Sequence, residues 1–323
     1  MKKPRIYVTR RWPEAVEVKL GELFDPVFNS NDIPINKSEI KNALRTCDAL
    51  LPTVTDKICA ETLDVTQPRT RIIANYGVGF AHIDTCAAAK HNIAVTNTPD
   101  VLSECTADIA LTLMLMAARR AGEGERELRS GKWTGWRPTH LVGQKLSGKT
   151  LGIIGFGRIG RETARRAHCG FGMRIVVLNR SRIQSEVLAE FCATQVDTLG
   201  DLLPQADFVS LHCPGGEENR HLINAANLSK MKPSAFLINT ARGEVVDEKA
   251  LAQALWYETI AGAGLDVFDG EPAIYEGLLG CENAVLLPHL GSATQETREA
   301  MGLRVVENLV AFFDGKQPRD RVA

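Results

Sequence analysis

The 323-residue chain has no excess of either charge: 38 Lys and Arg stand against 39 Asp and Glu, a formal net charge of −1. Without a basic surplus, non-specific attraction to nucleic acid or to an anionic membrane has no overall drive, and neither partner is expected. Long apolar runs are also missing. The longest, Ile109 to Ala118, is interrupted by Thr112 and falls far short of the ~20 residues that span a bilayer. Met1-Lys2-Lys3-Pro4-Arg5 leads straight into the β-branched Ile6–Thr9, with no apolar core or cleavage site between. Export is therefore not expected, and a cytoplasmic location is. The eight cysteines, at 47, 59, 86, 105, 169, 192, 213 and 281, show no Cys-x-x-Cys pair. A zinc or redox centre, and with it any metal, is not expected; reduced thiols are. Cys47 and Cys213 lie in apolar runs, where the residue behaves as a small hydrophobe. No repeat of about 20–50 residues and no low-complexity tract is present, which excludes solenoids.

What is present is ordinary globular composition, 44% hydrophobic and 24% charged, at a length that suggests two domains of ~150 residues. Short β-branched runs alternate with longer helical patterns, the signature of parallel sheets covered by helices. The first series places strands at Ile6–Thr9, Ala49–Leu51, Arg71–Asn75 and Ala94–Asn97, with helices near Glu14–Leu20, Ser38–Arg45 and His82–His91. It ends near Pro99. A long helical segment, Leu102 to Arg120, follows; Gly122 and Gly124 then loosen the chain before a charged stretch and a Trp133–Pro138 loop. The second series has strands at Thr150–Ile154, Arg174–Leu178, Phe208–His212, Ala235–Asn239, Gly262–Asp266 and Ala284–Leu287. Six such strands predict a doubly wound sheet. A last helix, Thr294 to Phe313, could pack on either series by pattern alone.

The second series carries Gly155-Phe-Gly157-Arg-Ile-Gly160 between a strand and a helix. Gly155 permits the tight turn, Gly157 lets the backbone approach a pyrophosphate, and Gly160 lets helix and strand pack closely. The helix start then offers free N–H groups and a partial positive charge to phosphates. Beyond the next strand, where NAD enzymes place a carboxylate for the ribose 2′-hydroxyl, stand Asn179, Arg180, Ser181 and Arg182. Two arginines and a serine suit a 2′-phosphate, so NADP(H) is expected over NAD(H).

Three more strand ends carry Arg242, Glu271 and His289. Alone, each reads as surface decoration or a turn residue. Together they are the parts that reduce a 2-keto acid: Arg binds a carboxylate and polarises a ketone, His donates a proton, and Glu orients the imidazole.

With these residues in place the sequence resembles the D-2-hydroxyacid dehydrogenase family, closest to its glyoxylate/hydroxypyruvate reductase branch. The resemblance rests on Asn75-Tyr-Gly-Val-Gly-Phe-Ala-His-Ile-Asp84, Asn97-Thr-Pro99, the glycine motif, Asn239-Thr-Ala-Arg-Gly243, Asp269-Gly-Glu-Pro272 and Pro288-His-Leu-Gly-Ser-Ala-Thr294. It implies an α/β protein of two Rossmann-like domains, a flavodoxin-like substrate-binding (lid) domain over residues 1–100 and 291–323 and a larger dinucleotide-binding domain over 101–290. It further implies catalysis by Arg242, Glu271 and His289, and a substrate carboxylate held on the amides of Val78 and Gly79. Thr106, Phe156, Gly157, Arg158, Ile159, Arg180, Cys213, Pro214, Thr240, Asp266 and Gly291 fall at cofactor-lining positions, Asp266 at the nicotinamide carboxamide. A homodimer through Leu102–Lys145 is implied, with Trp136 reaching the partner's substrate site. Tyr76, Phe80 and Trp136 suggest a pocket for a short 2-keto or 2-hydroxy acid. Other relatives offer alternatives: an NAD(H)-dependent phosphoglycerate, formate or phosphite dehydrogenase, or a non-catalytic NAD(H)-sensing corepressor-like scaffold. The length leaves no room for the regulatory domain of the first.

Overall fold

The computed structural model describes residues 3–323; Met1 and Lys2, with which the first expected domain begins, lie outside them. The chain forms two compact units, one reaching to Leu102 and completed by Ala293–Ala323, the other spanning Ser103–Ser292.

The first unit holds β1 (Arg5–Val8), β2 (Asp25–Phe28), β3 (Ala49–Leu51), β4 (Ile72–Ala74) and β5 (Ala94–Thr96). All pairs are parallel, in the order β2-β1-β3-β4-β5, which is the flavodoxin-like arrangement. β2 was not expected from the sequence. Its Asp-Pro-Val-Phe is half-exposed and sits at the sheet edge, where a proline forfeits no ladder bond and no apolar alternation is required. The terminal helix Gln295–Phe313 packs on the helix Glu14–Leu23 and on β4, which settles its host. Beyond it, Val322 donates to Val95 O (2.8 Å) and Val95 to Ala323 O (3.0 Å), covering the edge of β5.

The second unit holds β6 (Thr150–Ile154), β7 (Arg174–Leu178), β8 (Ala193–Val196), β9 (Phe208–Leu211), β10 (Phe236–Asn239), β11 (Gly262–Leu265) and β12 (Ala284–Leu286). Their order is β12-β11-β10-β9-β6-β7-β8, again parallel throughout. Seven strands replace the six expected. The added β8, Ala-Thr-Gln-Val, is a polar edge strand without the β-branched run that marks the others. Successive side chains of the inner strands feed two different cores. Ile154, Val176, Leu211 and Leu237 join one, while Ile153, Val177, Phe208 and Ile238 join the other. Burial on both faces is why these strands read as continuous apolar runs rather than alternating ones.

Helix Ser103–Ala118 is buried along Ala107, Ala110, Leu113, Met114 and Ala117. Contrary to the expected loosening, Gly122 and Gly124 lie inside a second helix, Ala121–Arg129. Ion pairs Arg120–Glu123 and Glu125–Arg129 one turn apart offset what the two glycines cost. Among the described residues no helix is long and apolar enough to cross a membrane.

Candidate active site

The carboxyl end of β6 turns through Gly155, whose φ of +93° lies in the left-handed region. A Cβ there would stand 2.6 Å from Cys213 N, and one on Gly160 would stand 2.4 Å from Gly155 O, whereas one on Gly157 would meet nothing within 4 Å. The first and third glycines are thus required by the protein's own packing. The second leaves open space at the N-cap of the 14-residue helix Arg158–Phe171, where no side chain caps the first turn. Open space, oriented N–H groups and a helix dipole are what a pyrophosphate needs. Nearby strand ends add unspent polar atoms: Thr240 Oγ1 and His212 Nδ1 are buried without a hydrogen-bond partner among the described residues. The residues present therefore fit a dinucleotide.

Other cofactor candidates fall into two groups. Phe156 is 2% exposed and packs edge-on against Phe191, 5.4 Å between centroids, so it offers backbone only. Burial pushes the Cys213 thiol up to about 11, leaving it inert. Pro214, Arg158 and Gly157 are exposed and Ile159 is partly so. Asn179 braces the turn: its Oδ1 accepts from Phe156 N (3.1 Å) and its Nδ2 donates to Ser181 O (3.1 Å) and Ser181 Oγ (3.1 Å). Arg180 pairs with Glu218 at 3.2 Å and Arg182 with Asp197 at 3.7 Å.

The catalytic candidates converge. His289 Nδ1 and Glu271 Oε2 are 2.8 Å apart, and Glu271 Oε1 accepts from Phe268 N at 2.9 Å. Burial alone would push the Glu271 carboxyl up; the hydrogen bond and charge of His289, the Phe268 N–H and the nearby Arg242 hold it below its ordinary range. Arg242 reaches this corner because the next residue, Gly243, lies on the backbone of Phe268 and Asp269, where a Cβ would meet Phe268 C at 1.9 Å. Burial pulls the Arg242 guanidinium below its ordinary value, against the opposing carboxylates of Glu244 and Glu271. Among the described residues its side chain donates only to Ala241 O (2.6 Å), so most of its fork is unspent.

The segment bearing His289 is held by Asp266 and Thr106. Asp266, 1% exposed, takes His289 N on its carbonyl (3.0 Å), Leu290 N on Oδ1 (2.6 Å) and Gly291 N on Oδ2 (2.7 Å). Thr106 Oγ1 donates to Gly291 O at 3.0 Å. Asp266 thus already serves two N–H groups with its carboxylate, a role its sequence context does not announce. Glu248 is a second such residue: it accepts from Asp269 N at 2.7 Å, steadying the loop before Glu271.

In the first unit, Val78 and Gly79 follow β4. Asn75 Nδ2 donates to Gly77 O (3.0 Å) and Gly79 O (3.1 Å), and Asn97 Nδ2 to Val78 O (2.8 Å). Three carbonyls are turned inward, and the amides of Val78 and Gly79 find no acceptor among the described residues. Successive free amides of this kind form an anion cradle. The two asparagines that shape it were visible in the sequence only as part of a motif. Tyr76 and Phe80 pack into the first unit. Tyr76 is 5% exposed, donates to Arg298 O (2.5 Å) and packs on Trp12, and Phe80 packs against the unit's core. Trp136 is 82% exposed.

Residues 111–291 match the family model described as D-isomer specific 2-hydroxyacid dehydrogenase, NAD binding domain. A glyoxylate reductase of Korarchaeum cryptofilum is 46% identical over 325 residues, covering 99% of this chain and 96% of that protein. The structure of an NADPH-dependent glyoxylate/hydroxypyruvate reductase from Sinorhizobium meliloti, in complex with NADP and malonate, superposes with a TM-score of 0.88 at 37% identity. It covers 100% of this chain and 97% of that one. A glyoxylate reductase from Paecilomyes thermophila gives a TM-score of 0.86 at 32% identity, with coverage of 100% and 99%.

Proposed function

Since the chain belongs to the D-isomer specific 2-hydroxyacid dehydrogenase family and is an NAD(P)-dependent dehydrogenase, we propose that it reduces glyoxylate or hydroxypyruvate to the D-2-hydroxy acid with NADPH. The observation that carries this is the 2.8 Å contact of His289 Nδ1 with Glu271, beside a partly buried Arg242 whose fork is largely free. With Nδ1 committed to Glu271, the other ring nitrogen of His289 is left to hand a proton to the carbonyl oxygen. The ionised Glu271 fixes the orientation of the ring. Arg242 polarises the ketone and pairs with the carboxylate next to it, the task for which a planar fork is suited. In the first unit, the amides of Val78 and Gly79 are assigned to substrate binding. A bound dihydronicotinamide supplies the hydride; Gly155–Gly160, Thr106, Thr240, Asp266 and Gly291 would hold its dinucleotide. Asp266 has a second lone pair on each oxygen for the carboxamide.

The preference for NADPH rests on Arg180, Ser181 and Arg182 where a carboxylate would otherwise stand, and accords with the S. meliloti relative, described as NADPH-dependent. We assign substrate binding to the unit completed by Ala293–Ala323 and the dinucleotide to Ser103–Ser292. A homodimer through Leu102–Lys145 would cover Leu128, Trp133, Trp136 and Val142, all more than half exposed, with Trp136 serving the partner's substrate site. Eight free cysteines suit a reducing compartment, the cytoplasm.

The test follows NADPH and NADH consumption with glyoxylate, hydroxypyruvate, pyruvate and a branched keto acid, and the reverse reaction with formate and phosphite. Fastest turnover is expected with NADPH and the two short acids. His289→Ala should lower kcat by about 10²–10⁴, the usual share of a general acid. Near-full activity in that variant, or turnover of formate or phosphite alone, would overturn the reading.

A further inference from the structure

In the second sheet the strand order reverses between β6 and β9, and ligands of such folds lie in the crevice at that point. Two charged residues flank it. Arg180 stands just past β7 on one side of β6, and Glu218 stands on the loop after β9 on the other. Their side chains meet at 3.2 Å, so the pair bridges the carboxyl end of β6, where the glycine turn begins. Arg182 leans the opposite way, toward Asp197 beyond the edge strand β8. Of the two arginines, only Arg180 faces the crevice.

The loop that carries Glu218 is built to present it. Asn219 Nδ2 donates to Pro214 O at 2.9 Å, closing the loop on itself, and Gly216 N donates to Glu244 Oε1 at 3.2 Å. Gly216 has a φ of +105°, in the region that L side chains rarely adopt. The Gly215-Gly216 pair thus gives a turn from which Glu218 reaches Arg180.

We propose that Glu218 sets how strongly the enzyme discriminates NADPH from NADH, by occupying Arg180 until a 2′-phosphate displaces it. This rests on the cofactor reading above. Both side chains are more than four-fifths exposed, so the pair is weak and open to exchange. A 2′-phosphate brings nearly two negative charges and a bidentate geometry that a guanidinium prefers to a single carboxylate contact. A 2′-hydroxyl brings neither, and NADH binds with the ion pair intact. Displacing Glu218 therefore weakens NADPH binding alone. Glu218 blunts a preference that Arg180 creates.

The test is a double-mutant cycle on dinucleotide affinity, read from the fluorescence of NADPH and NADH on binding to the purified full chain. Glu218→Gln should tighten NADPH by about two- to fivefold and move NADH by less than twofold. In an Arg180→Gln background the same substitution should gain less than twofold, and in the parent chain the gain should shrink with added salt. Equal gains in both backgrounds would mean that Glu218 acts only as a nearby negative charge, and would overturn the proposal. Weaker NADPH binding in Arg180→Gln with no gain from Glu218→Gln also overturns it, while leaving the cofactor reading standing. Unchanged NADPH binding in Arg180→Gln removes both.

Discussion

At the scale of single residues, the site depends on a turn more than on a side chain. His289 has a φ of +54°, a conformation that costs a non-glycine residue about 1–3 kcal/mol unless its surroundings impose it. Asp266 imposes it by collecting three successive N–H groups, from His289, Leu290 and Gly291. Holding the imidazole against Glu271 is thus in part the work of Asp266, which grips the backbone of the turn. Burial raises the Asp266 carboxyl above its ordinary range, and the two N–H bonds oppose that rise. Asp266→Asn would turn one acceptor into a donor facing a backbone N–H. The turn should loosen, and kcat should fall by about ten- to a hundredfold while the protein stays folded. Steady-state kinetics beside circular dichroism would check this; an unchanged kcat would show that the turn holds without its clamp.

At the scale of elements, legibility followed whether an element's reason for being there is steric and local. The glycine turn was readable because Gly155 and Gly160 are demanded by contacts with the chain itself, and only glycine meets them. The inner strands were readable because burial on both faces leaves an unbroken apolar run. The edge strands β2 and β8 were not, since half-exposed backbone places no comparable demand on side chains. The helix Ala121–Arg129 was hidden by its two glycines, its support coming from ion pairs that propensity does not count. The roles of Asp266 and Glu248 were illegible for a related reason: their partners are backbone N–H groups, which every residue carries. The same logic gives a prediction for the loop after β4. Asn97 holds Val78 O inward at 2.8 Å, and Asn97→Ala should free that carbonyl and disorder the amide cradle. KM for the keto acid should rise about tenfold, with dinucleotide affinity unchanged. A rise in both constants would mean that the loop serves general stability instead.

At the scale of the molecule, acid and heat should act on different parts. Burial pulls His212 down to about 3 from its ordinary 6.5. The unfolded chain therefore takes up a proton that the folded one refuses between those values. Stability is retained above about pH 6.5 and falls as pH drops below it, by up to about 1.4 kcal/mol per pH unit. His212→Gln should flatten the dependence of Tm on pH over that window; an unaltered slope would place the acid sensitivity elsewhere. Heat resistance of the first unit has a separate anchor near the chain's end. Asp320 accepts from Arg304 Nε (2.5 Å) and Nη2 (2.9 Å) and from Asn308 Nδ2 (3.0 Å), and returns its own N–H to Asn308 Oδ1 (3.2 Å). The two charged side chains are 11% and 5% exposed. Removing one partner of so enclosed a pair strands the other's charge, at a cost of about 3–5 kcal/mol. The cores of the two units draw on separate residues, so unfolding need not be a single transition. Asp320→Ala should then lower one calorimetric transition by several degrees and leave NADPH affinity, proposed to reside in Ser103–Ser292, within twofold of the parent. Loss of affinity in step with that transition would show that the dinucleotide cradle does not stand without the clasp.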